Sequence, residues 1–101
     1  MKQLAAKLPK RWQSRLKRLY FDWQLRAGQF KTSEPEYDLL PRLVKPGDWV
    51  LDIGANIGHY TARLSELAGP NGRVLAVEPV PETFELLVSN ASRFAFQNVS
   101  L

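Results

Sequence analysis

Residues 50–60 read VLDIGANIGHY, and this stretch decides the fold. Its first four residues, with Trp49 before them, form a short apolar run without alternation. Such a run is typical of a strand covered on both faces of a parallel sheet. Gly54 and Gly58 then bracket a loop, and apolar residues at helical spacing follow from Tyr60. The stretch therefore predicts a strand, a glycine loop and the start of a helix.

The same order of elements repeats downstream of the turn residues 69–72 (GPNG), which end the first helix. Residues 73–78 (RVLAVE) predict a second buried strand, and residues 98–101 predict the start of a third. The helix between them has an apolar face that consists of Phe84, Leu87, Val88 and Ala91. This β-α-β-α-β order with short connections predicts an α/β fold with parallel strands and right-handed crossovers.

A linker, a short helix and a turn are predicted before the first strand. Ser33 and Glu36 have the spacing of a capping box at a helix start. The apolar face of that helix consists of Tyr37, Leu40 and Val44. Pro41 should kink or shorten the helix. Residues 45–48 (KPGD) then predict a turn, because proline and glycine suit its two central positions.

The net charge of +4 is concentrated at the N-terminus. Residues 1–31 carry nine Lys or Arg and one acid, whereas residues 32–101 carry five and nine, so the segments hold +8 and −4. Residues 3–27 predict an amphipathic helix whose regular part begins at Pro9 and stops at Gly28. Its apolar face consists of Leu4, Leu8, Trp12, Leu16, Leu19 and Trp23. We therefore predict a basic helical extension, residues 1–31, before one domain, residues 32–101.

Three interpretations of the basic helix stay open. The first is an extension whose aromatic stripe packs on the domain while its basic face is solvated. The second is a helix on an anionic membrane surface, with Trp12, Tyr20, Phe21 and Trp23 at the interface. The third is nucleic-acid binding or a transit-like presequence. Residues 32–101 are mildly acidic, so we expect no nucleic-acid partner for the domain.

Several site classes are excluded by composition. The chain has no cysteine, so it has no disulfide or cysteine-based metal site. His59 is the one histidine, and we expect no metal site. No apolar run reaches the length of a membrane span, and the N-terminus lacks the apolar stretch of a signal peptide. We expect a cytoplasmic protein that contacts membranes only peripherally, if at all.

Candidate ligand-binding residues fall at the carboxyl ends of the first two predicted strands. Those after the first strand are Asp52, Gly54, Ala55, Asn56 and Gly58. Glu78 ends the second strand, so it should face the same crevice, where open parallel sheets bind ligands. A carboxylate there can accept hydrogen bonds from both hydroxyls of a ribose. The arrangement predicts a cofactor that contains a nucleoside.

The loop spacing discriminates between cofactors of this kind. Residues 54–60 (GANIGHY) lack the third glycine of the dinucleotide fingerprint and the Lys-Ser/Thr pair of a phosphate-binding P-loop. Asp52 would also repel a pyrophosphate. It would attract a cationic group such as an ammonium or a sulfonium.

At this point the residues resemble a known family. Residues 52–58 (DIGANIG) resemble motif I of the class I S-adenosylmethionine-dependent methyltransferases, and more narrowly the FkbM-type enzymes. The lead-in at residues 45–51 is similar too, as are Glu78-Pro79, Phe84, Leu87 and Asn90 downstream. The resemblance covers about residues 34–101.

The resemblance implies roles for individual residues. Asp52 and the backbone of residues 54–58, Ala55 included, would hold the methionine part of S-adenosylmethionine. Glu78 would bind the ribose, and Pro79 would contact the adenine surroundings. Asn56 would either hydrogen-bond the cofactor or brace the loop as a turn residue with left-handed φ. No catalytic residue is implied; His59 and Asn90 are expected to be an ordinary first-turn residue and a helix-surface or capping residue.

The resemblance also implies a larger parent protein. Such enzymes have the strand order 3-2-1-4-5-7-6, so this chain would be the N-terminal half of a Rossmann-like parallel sheet: strands 1 and 2 and the start of 3. We expect an inactive fragment, prone to self-association through its first strand. Its parent would methylate a hydroxyl of a small molecule or glycan. Two alternatives are a non-catalytic binding module or pseudoenzyme, whose basic helix docks on a membrane or partner, and a nicotinamide-dependent oxidoreductase, which the missing glycine disfavours.

Overall fold

The computed structural model describes residues 9–101. Its strands are β1 (Trp49–Ile53), β2 (Arg73–Val77) and β3 (Val99–Ser100). Its α-helices are α1 (Lys10–Arg26), α2 (Leu40–Leu43), α3 (His59–Ala68) and α4 (Pro81–Ala91), with a 3₁₀ helix (Pro35–Leu39) directly before α2. Every strand and helix predicted beyond residue 48 is present, which confirms the α/β fold class.

The three strands form one parallel sheet in the order β1-β2-β3. Leu51 of β1 pairs with Leu75 of β2, and Val74 of β2 pairs with Val99 of β3. β1 therefore lies at an edge of the sheet formed by the described residues. Parallel strands place their carboxyl ends at the same edge of the sheet, so the loops that follow β1 and β2 lie side by side.

The core lies between the sheet and the two helices α3 and α4. Val74 of β2 packs with Leu64 and Ala68 of α3. Ala76, two residues further along β2, packs with Leu87 of α4. Since Val74 and Ala76 point to the same side of the strand, both helices cover the same face of the sheet.

The opposite face of the sheet is exposed, which corrects the prediction that β1 is covered on both faces. Trp49 is 75% exposed, and Leu51, Ile53, Leu75 and Val77 are exposed as well. The short apolar run correctly indicated a strand. Nothing in residues 9–101 lies on this face, because α3 and α4 both pack on the other one.

Helix α1 ends as predicted but packs differently. Gly28 has a φ of 70°, its amide donates to the Leu25 carbonyl, and the amide of Gln29 donates to the Gln24 carbonyl at 2.8 Å. These two bonds are the Schellman motif that stops a helix. Pro9 precedes the first helical residue, whereas Leu4 and Leu8 lie outside the described residues.

The interpretation that the aromatic stripe of α1 packs on the domain is wrong. Phe21 and Leu25 contact the core cluster of Phe30, Ala62 and Phe94. The stripe itself is exposed and consists of Trp12, Leu16, Leu19, Tyr20 and Trp23. None of the helices within residues 9–101 is long and apolar enough to cross a membrane.

The segment before β1 departs from the predicted capping box. Glu34, not Ser33, is the residue that precedes the 3₁₀ helix, and no side chain caps it. Pro35 begins that helix and Pro41 lies in the first turn of α2, so each proline opens a short helix instead of kinking a longer one. The predicted turn is confirmed: the amide of Asp48 donates to the Lys45 carbonyl at 3.1 Å.

Candidate cofactor-binding site

A cleft of about 300 Å³ lies at the carboxyl end of β1. Four of the predicted site residues line it: Asp52, Gly54, Ala55 and Asn56. The strand positions Asp52 at its end, and the loop holds the other three against β2. The amides of Gly54 and Ala55 both donate to the carbonyl of Val77, at 2.9 Å each. The cleft floor is therefore fixed to the ends of two strands.

Glu78 follows β2 and is bound to the same loop. Its Oε1 accepts a hydrogen bond from the Asn56 amide at 2.9 Å, and its Oε2 accepts one from the Val80 amide at 3.0 Å. Each carboxylate oxygen accepts about two hydrogen bonds, so both keep capacity for a ligand hydroxyl. Glu78 was predicted to face the same crevice as the loop; it is bound to the loop through Asn56 but is not among the residues that line the cleft.

Asp52 is oriented by the helix that follows the loop. The hydroxyl of Thr61 donates to its Oδ2 at 2.6 Å, and Thr61 is fully buried in the first turns of α3. Because a buried hydroxyl holds one oxygen, the carboxylate has a defined orientation at the cleft wall. The side chain therefore braces α3 and also presents negative charge to the cleft.

The two loop glycines have different surroundings. Gly54 has a φ of 73°, and a Cβ there would have no other atom within 4 Å. Gly58 has a φ of 105° and is buried at the start of α3, where a Cβ would lie 2.9 Å from Leu87 Cδ1. Gly54 thus leaves open space beside the cleft, whereas Gly58 permits α3 and α4 to approach each other.

Asn56 and Asn90 both brace the loop. Asn56 has a φ of 54°, a left-handed conformation that asparagine tolerates. Its backbone amide donates the hydrogen bond to Glu78. Asn90 is fully buried, and its Nδ2 donates to the Ile57 carbonyl at 2.9 Å. The expectation that Asn90 lies on the helix surface or caps a helix is therefore wrong, because its partner comes from the loop 33 residues earlier.

Five further residues line the cleft and were not predicted as site residues: Thr32, Glu34, Ile53, His59 and Tyr60. The Tyr60 hydroxyl donates to Glu34 Oε2 at 3.0 Å, which holds a second carboxylate at the cleft. No spacing signal marked Glu34, because residues 29–36 have the composition of a polar linker. Pro79 is exposed and does not belong to the residues that line the cleft.

His59 is the first residue of α3, as expected, and its ring stacks on Phe30 with 4.4 Å between ring centroids. Partial burial lowers the pKa of His59 below its usual range, and the carboxylate of Glu34 opposes this shift only in part. Burial and the hydrogen bond to Glu34 raise the pKa of the Tyr60 phenol. At neutral pH both rings are therefore uncharged, and the acidic side chains set the sign of the potential in the cleft.

Comparison with known proteins identifies the family. The family model of the methyltransferase FkbM domain matches residues 52–100, which contain the loop, Glu78 and both flanking helices. Residues 52–100, just under half of the chain, are similar to the S-adenosylmethionine-dependent methyltransferases. The resemblance of the loop and of Glu78-Pro79 to this family is thereby confirmed, and S-adenosylmethionine is the cofactor of the family.

Individual proteins similar to this chain are methyltransferases as well. The chain is 44% identical over 55 residues to a protein-L-isoaspartate O-methyltransferase of Aeropyrum pernix, covering 54% of this chain and 21% of the relative. A solved protein-L-isoaspartate O-methyltransferase superposes with a TM-score of 0.60 at 31% identity, over 67% of this chain and 22% of that one. A putative rRNA-methylase of Clostridium thermocellum gives 0.61 at 28%, over 65% and 36%. The chain thus spans about a fifth to a third of the length of these proteins.

The cleft at the carboxyl end of β1 fits S-adenosylmethionine. The cofactor carries a sulfonium and an ammonium, and the cleft presents the carboxylates of Asp52 and Glu34 without a lysine or an arginine among its lining residues. Glu78 keeps hydrogen-bonding capacity for a diol beside the loop. The structure therefore matches the charge of the cofactor and offers an acceptor for its ribose.

Proposed function

We propose that this chain provides the S-adenosylmethionine-binding residues of an O-methyltransferase. The observation that carries the proposal is the carboxylate of Glu78, held by the amides of Asn56 and Val80 beside the glycine loop. When bound, the cofactor supplies an electrophilic methyl group on a sulfonium. The chain's own residues bind and orient the cofactor.

Each proposed role follows from a contact. Glu78 binds the ribose hydroxyls, since both of its oxygens are pre-oriented and retain free lone pairs. Asp52, fixed by Thr61, and the backbone around Gly54 hold the methionine part. Asn56 and Gly58 act on the loop instead of the ligand: one braces it toward Glu78 and the other allows α3 to pack. Pro79 is the exception: its role beside the adenine rests only on its position next to Glu78.

The charge of the cleft supports this cofactor over a dinucleotide. A pyrophosphate would carry two negative charges toward Asp52 and Glu34, whereas a sulfonium and an ammonium are attracted by them. Burial keeps His59 neutral at pH 7, so it supplies no cation that would offset these acids. The nicotinamide-dependent alternative is disfavoured on electrostatic grounds as well as by loop spacing.

We propose an oxygen acceptor for the methyl group. The resemblance to FkbM-type enzymes implies a hydroxyl on a small molecule or a glycan, and the isoaspartate enzymes named above are O-methyltransferases by name. A chain without cysteine is compatible with a reducing compartment, and the cytoplasm stays the proposed location.

Isothermal titration calorimetry of the chain with S-adenosylmethionine tests the role of Glu78. Glu78→Ala removes the ribose acceptor and frees the Asn56 amide. Hydrogen bonds to a charged group contribute about 1.5–3 kcal/mol, so we expect affinity to fall about 10- to 100-fold. Glu85→Ala is the matched control, because Glu85 is an exposed acid on α4 outside the cleft. Undiminished binding by Glu78→Ala would exclude the ribose role, and no binding by the unmodified chain would contradict the proposal itself.

Gly54→Ala probes the approach of the ligand to the loop. The added methyl meets no protein atom within 4 Å, so the variant should fold with a modest strain from its positive φ. It should nevertheless weaken cofactor binding, because the methyl occupies space beside the cleft. Gly47→Ala has the same backbone penalty in the turn before β1, with no atom within 4 Å, and should leave binding unchanged. Equal affinities for the two variants would remove Gly54 from the site.

A further inference from the structure

The exposed stripe of α1 defines a surface that the methyltransferase site does not use. Its side chains are 43–62% exposed and consist of Trp12, Leu16, Leu19, Tyr20 and Trp23. At 3.6 residues per turn, these five positions fall within an arc of about 100° around the helix axis. Large apolar side chains exposed singly are ordinary, but a contiguous stripe with two tryptophans marks an interaction surface.

The stripe faces away from the domain. Phe21 and Leu25 are the α1 side chains that pack on the core cluster. Helical periodicity places the centre of the stripe about 170° around the axis from these two residues. A partner can therefore cover the whole stripe while α1 remains packed on the domain.

Several basic side chains of α1 outside the stripe have no acidic partner among the described residues. Asp22 is the one acid of α1, and it already pairs with Arg26 at 3.2 Å and with Arg93 at 2.8 Å. The α1 cations that form no salt bridge within the described residues are Arg11, Arg15, Lys17 and Arg18. The guanidinium of Arg15 lies 5.4 Å from the centre of the Trp12 ring, at the border between the charged and apolar sectors.

We propose that α1 docks the chain on anionic lipid bilayers. A basic helix with an apolar face that contains tryptophan is the pattern of helices that lie in the plane of the membrane interface. Indole and phenol rings suit this boundary because one end is apolar and the other carries a hydrogen-bonding group. The free cations then meet the negative headgroups while the stripe enters the acyl boundary. This inference stands independently of the proposed methyl transfer.

A bilayer explains the composition of the surface better than a nucleic acid does. Phosphates of either partner would attract the arginines. Leu16 and Leu19, however, lie between the two tryptophans on the helix surface and offer nothing to a phosphate backbone or a base edge. Only an apolar medium removes these leucines from water, and each buried methylene contributes favourably there.

Vesicle co-sedimentation of the whole chain tests the proposal. The probes are vesicles of phosphatidylcholine with phosphatidylglycerol and vesicles of phosphatidylcholine alone. We expect binding to the anionic vesicles, a decrease in binding as salt rises, and a blue shift of tryptophan fluorescence. The proposal would be overturned if the chain did not bind anionic vesicles. It would also be overturned if binding depended neither on the charge of the lipids nor on the salt concentration.

Two variants distinguish membrane binding by the apolar stripe from nonspecific binding by any exposed tryptophan. The double variant Trp12→Gln/Trp23→Gln removes both indoles from the stripe, and we expect at least a tenfold loss of vesicle affinity. Trp49→Gln is the matched control, since Trp49 is 75% exposed on the bare face of the sheet, away from α1. Circular dichroism checks that both variants keep their helices. Equal losses for the two variants would show that any exposed tryptophan suffices and would refute the role of the stripe.

Two triple variants that remove basic residues test the electrostatic contribution to vesicle binding. The triple variant Arg11→Gln/Arg15→Gln/Arg18→Gln should weaken binding to anionic vesicles roughly 100-fold, from about 1 kcal/mol for each basic residue near the surface. The control removes three exposed basic residues elsewhere, namely Lys31, Arg42 and Lys45. A control that loses as much as the α1 variant would indicate attraction by net charge alone and would contradict docking through α1.

Two outcomes would assign the stripe to another partner. If a single-stranded RNA oligonucleotide binds the chain as tightly as vesicles do and Leu16→Ser/Leu19→Ser leaves that binding intact, the surface is a nucleic-acid site. If sedimentation without lipid shows an oligomer that Trp12→Gln/Trp23→Gln dissociates, a second copy of the chain occupies the stripe. Either result overturns the membrane proposal.

Discussion

Gly58→Ala is the sharpest test of how the loop is built. The structure assigns two separate penalties to this change. Gly58 has a φ of 105°, and the new Cβ would lie 2.9 Å from Leu87 Cδ1, well inside van der Waals contact. Leu87 is fully buried, so it cannot turn outward to make room. A merely flexible loop would tolerate the change, whereas this packed junction should not.

The two penalties can be estimated separately. Left-handed backbone costs a residue other than glycine about 1–2 kcal/mol. Forcing an extra methyl into a packed core costs about 1–3 kcal/mol. We therefore expect Gly58→Ala to lower the free energy of unfolding by about 2–5 kcal/mol. For a 101-residue chain, whose stability is of the order of 5–15 kcal/mol, this is a large fraction.

Gly28→Ala supplies the control for the backbone penalty. Gly28 has a φ of 70° at the end of α1, and a Cβ there would meet no atom within 4 Å. Its loss should therefore be confined to about 1–2 kcal/mol. Urea unfolding followed by circular dichroism gives both free energies, provided that the slope of the transition is unchanged.

A double-mutant cycle isolates the packing penalty. Leu87→Val removes the Cδ1 atom that the new methyl would strike, at a cost of its own of about 1 kcal/mol. In that background Gly58→Ala should cost only its backbone penalty, so the two changes should couple by about 1–3 kcal/mol. The reasoning fails if Gly58→Ala costs no more than Gly28→Ala, or if its cost is the same with leucine and valine at position 87.

Three further predictions concern other parts of the structure. Asn90→Ala should destabilise the chain by about 1–3 kcal/mol in urea unfolding, because a buried loop carbonyl loses its donor, whereas Asn71→Ala in an exposed turn should change stability by less than about 0.5 kcal/mol. Burial lowers the pKa of His59, so the folded state resists protonation and the unfolding temperature should fall as the pH drops from about 7.5 to 5.5. His59→Phe should flatten this dependence, since the chain has one histidine. Leu51→Thr/Ile53→Thr on the bare sheet face should reduce concentration-dependent association in analytical ultracentrifugation without lowering the unfolding temperature.

Each of these predictions has a contradicting result. Equal destabilisation by the two asparagine variants would mean that the bond to the loop does not matter. An unchanged pH dependence in His59→Phe would place the titrating group elsewhere. Association that persists in the threonine variant would move the contact surface away from β1.

Local sequence signals correctly predicted the turns and helix ends whose hydrogen bonds join residues only a few positions apart. The turn at residues 45–48 and the helix stop at Gly28 depend on backbone conformations that proline and glycine specify themselves. The loop and Glu78 were predicted together because parallel strands bring their carboxyl ends to one edge. The amide of Asn56 and the carboxylate of Glu78 are 22 residues apart and meet at 2.9 Å.

The features that were not predicted depend on contacts between residues far apart in the chain. Asn90 has the local appearance of a surface polar residue, and only the loop carbonyl of Ile57 makes it a buried one. Ser33 has the spacing of a capping residue, but Pro35 starts a 3₁₀ helix one position later and leaves Glu34 as the preceding residue. Composition described the region around Glu34 as a linker, whereas Tyr60 of α3 fixes that carboxylate at the cleft.

The packing of α1 also could not be predicted from local sequence patterns. The helix has two apolar sectors, and periodicity favoured the larger one, with Trp12 and Trp23, as the buried face. The structure buries the smaller sector because Phe21 and Leu25 meet Phe30, which lies in the chain just beyond the helix. Size alone therefore does not choose the face of a helix that packs. A complementary aromatic cluster, here Phe30 together with Phe94 of the domain, does.

The hydrogen bonds of Glu78 make the loop and the acid one unit. Fixing a glutamate side chain costs up to about 2 kcal/mol of conformational entropy. In this fold the side chain is already ordered before a ligand binds, because the amides of Asn56 and Val80 hold both of its oxygens. A ligand diol that arrives at Glu78 then loses less affinity to ordering. Because the Asn56 amide is one of these two donors, any change that distorts the left-handed residue also turns the carboxylate. If Glu78 binds the ribose as proposed, the loop acts on that contact through the backbone of Asn56.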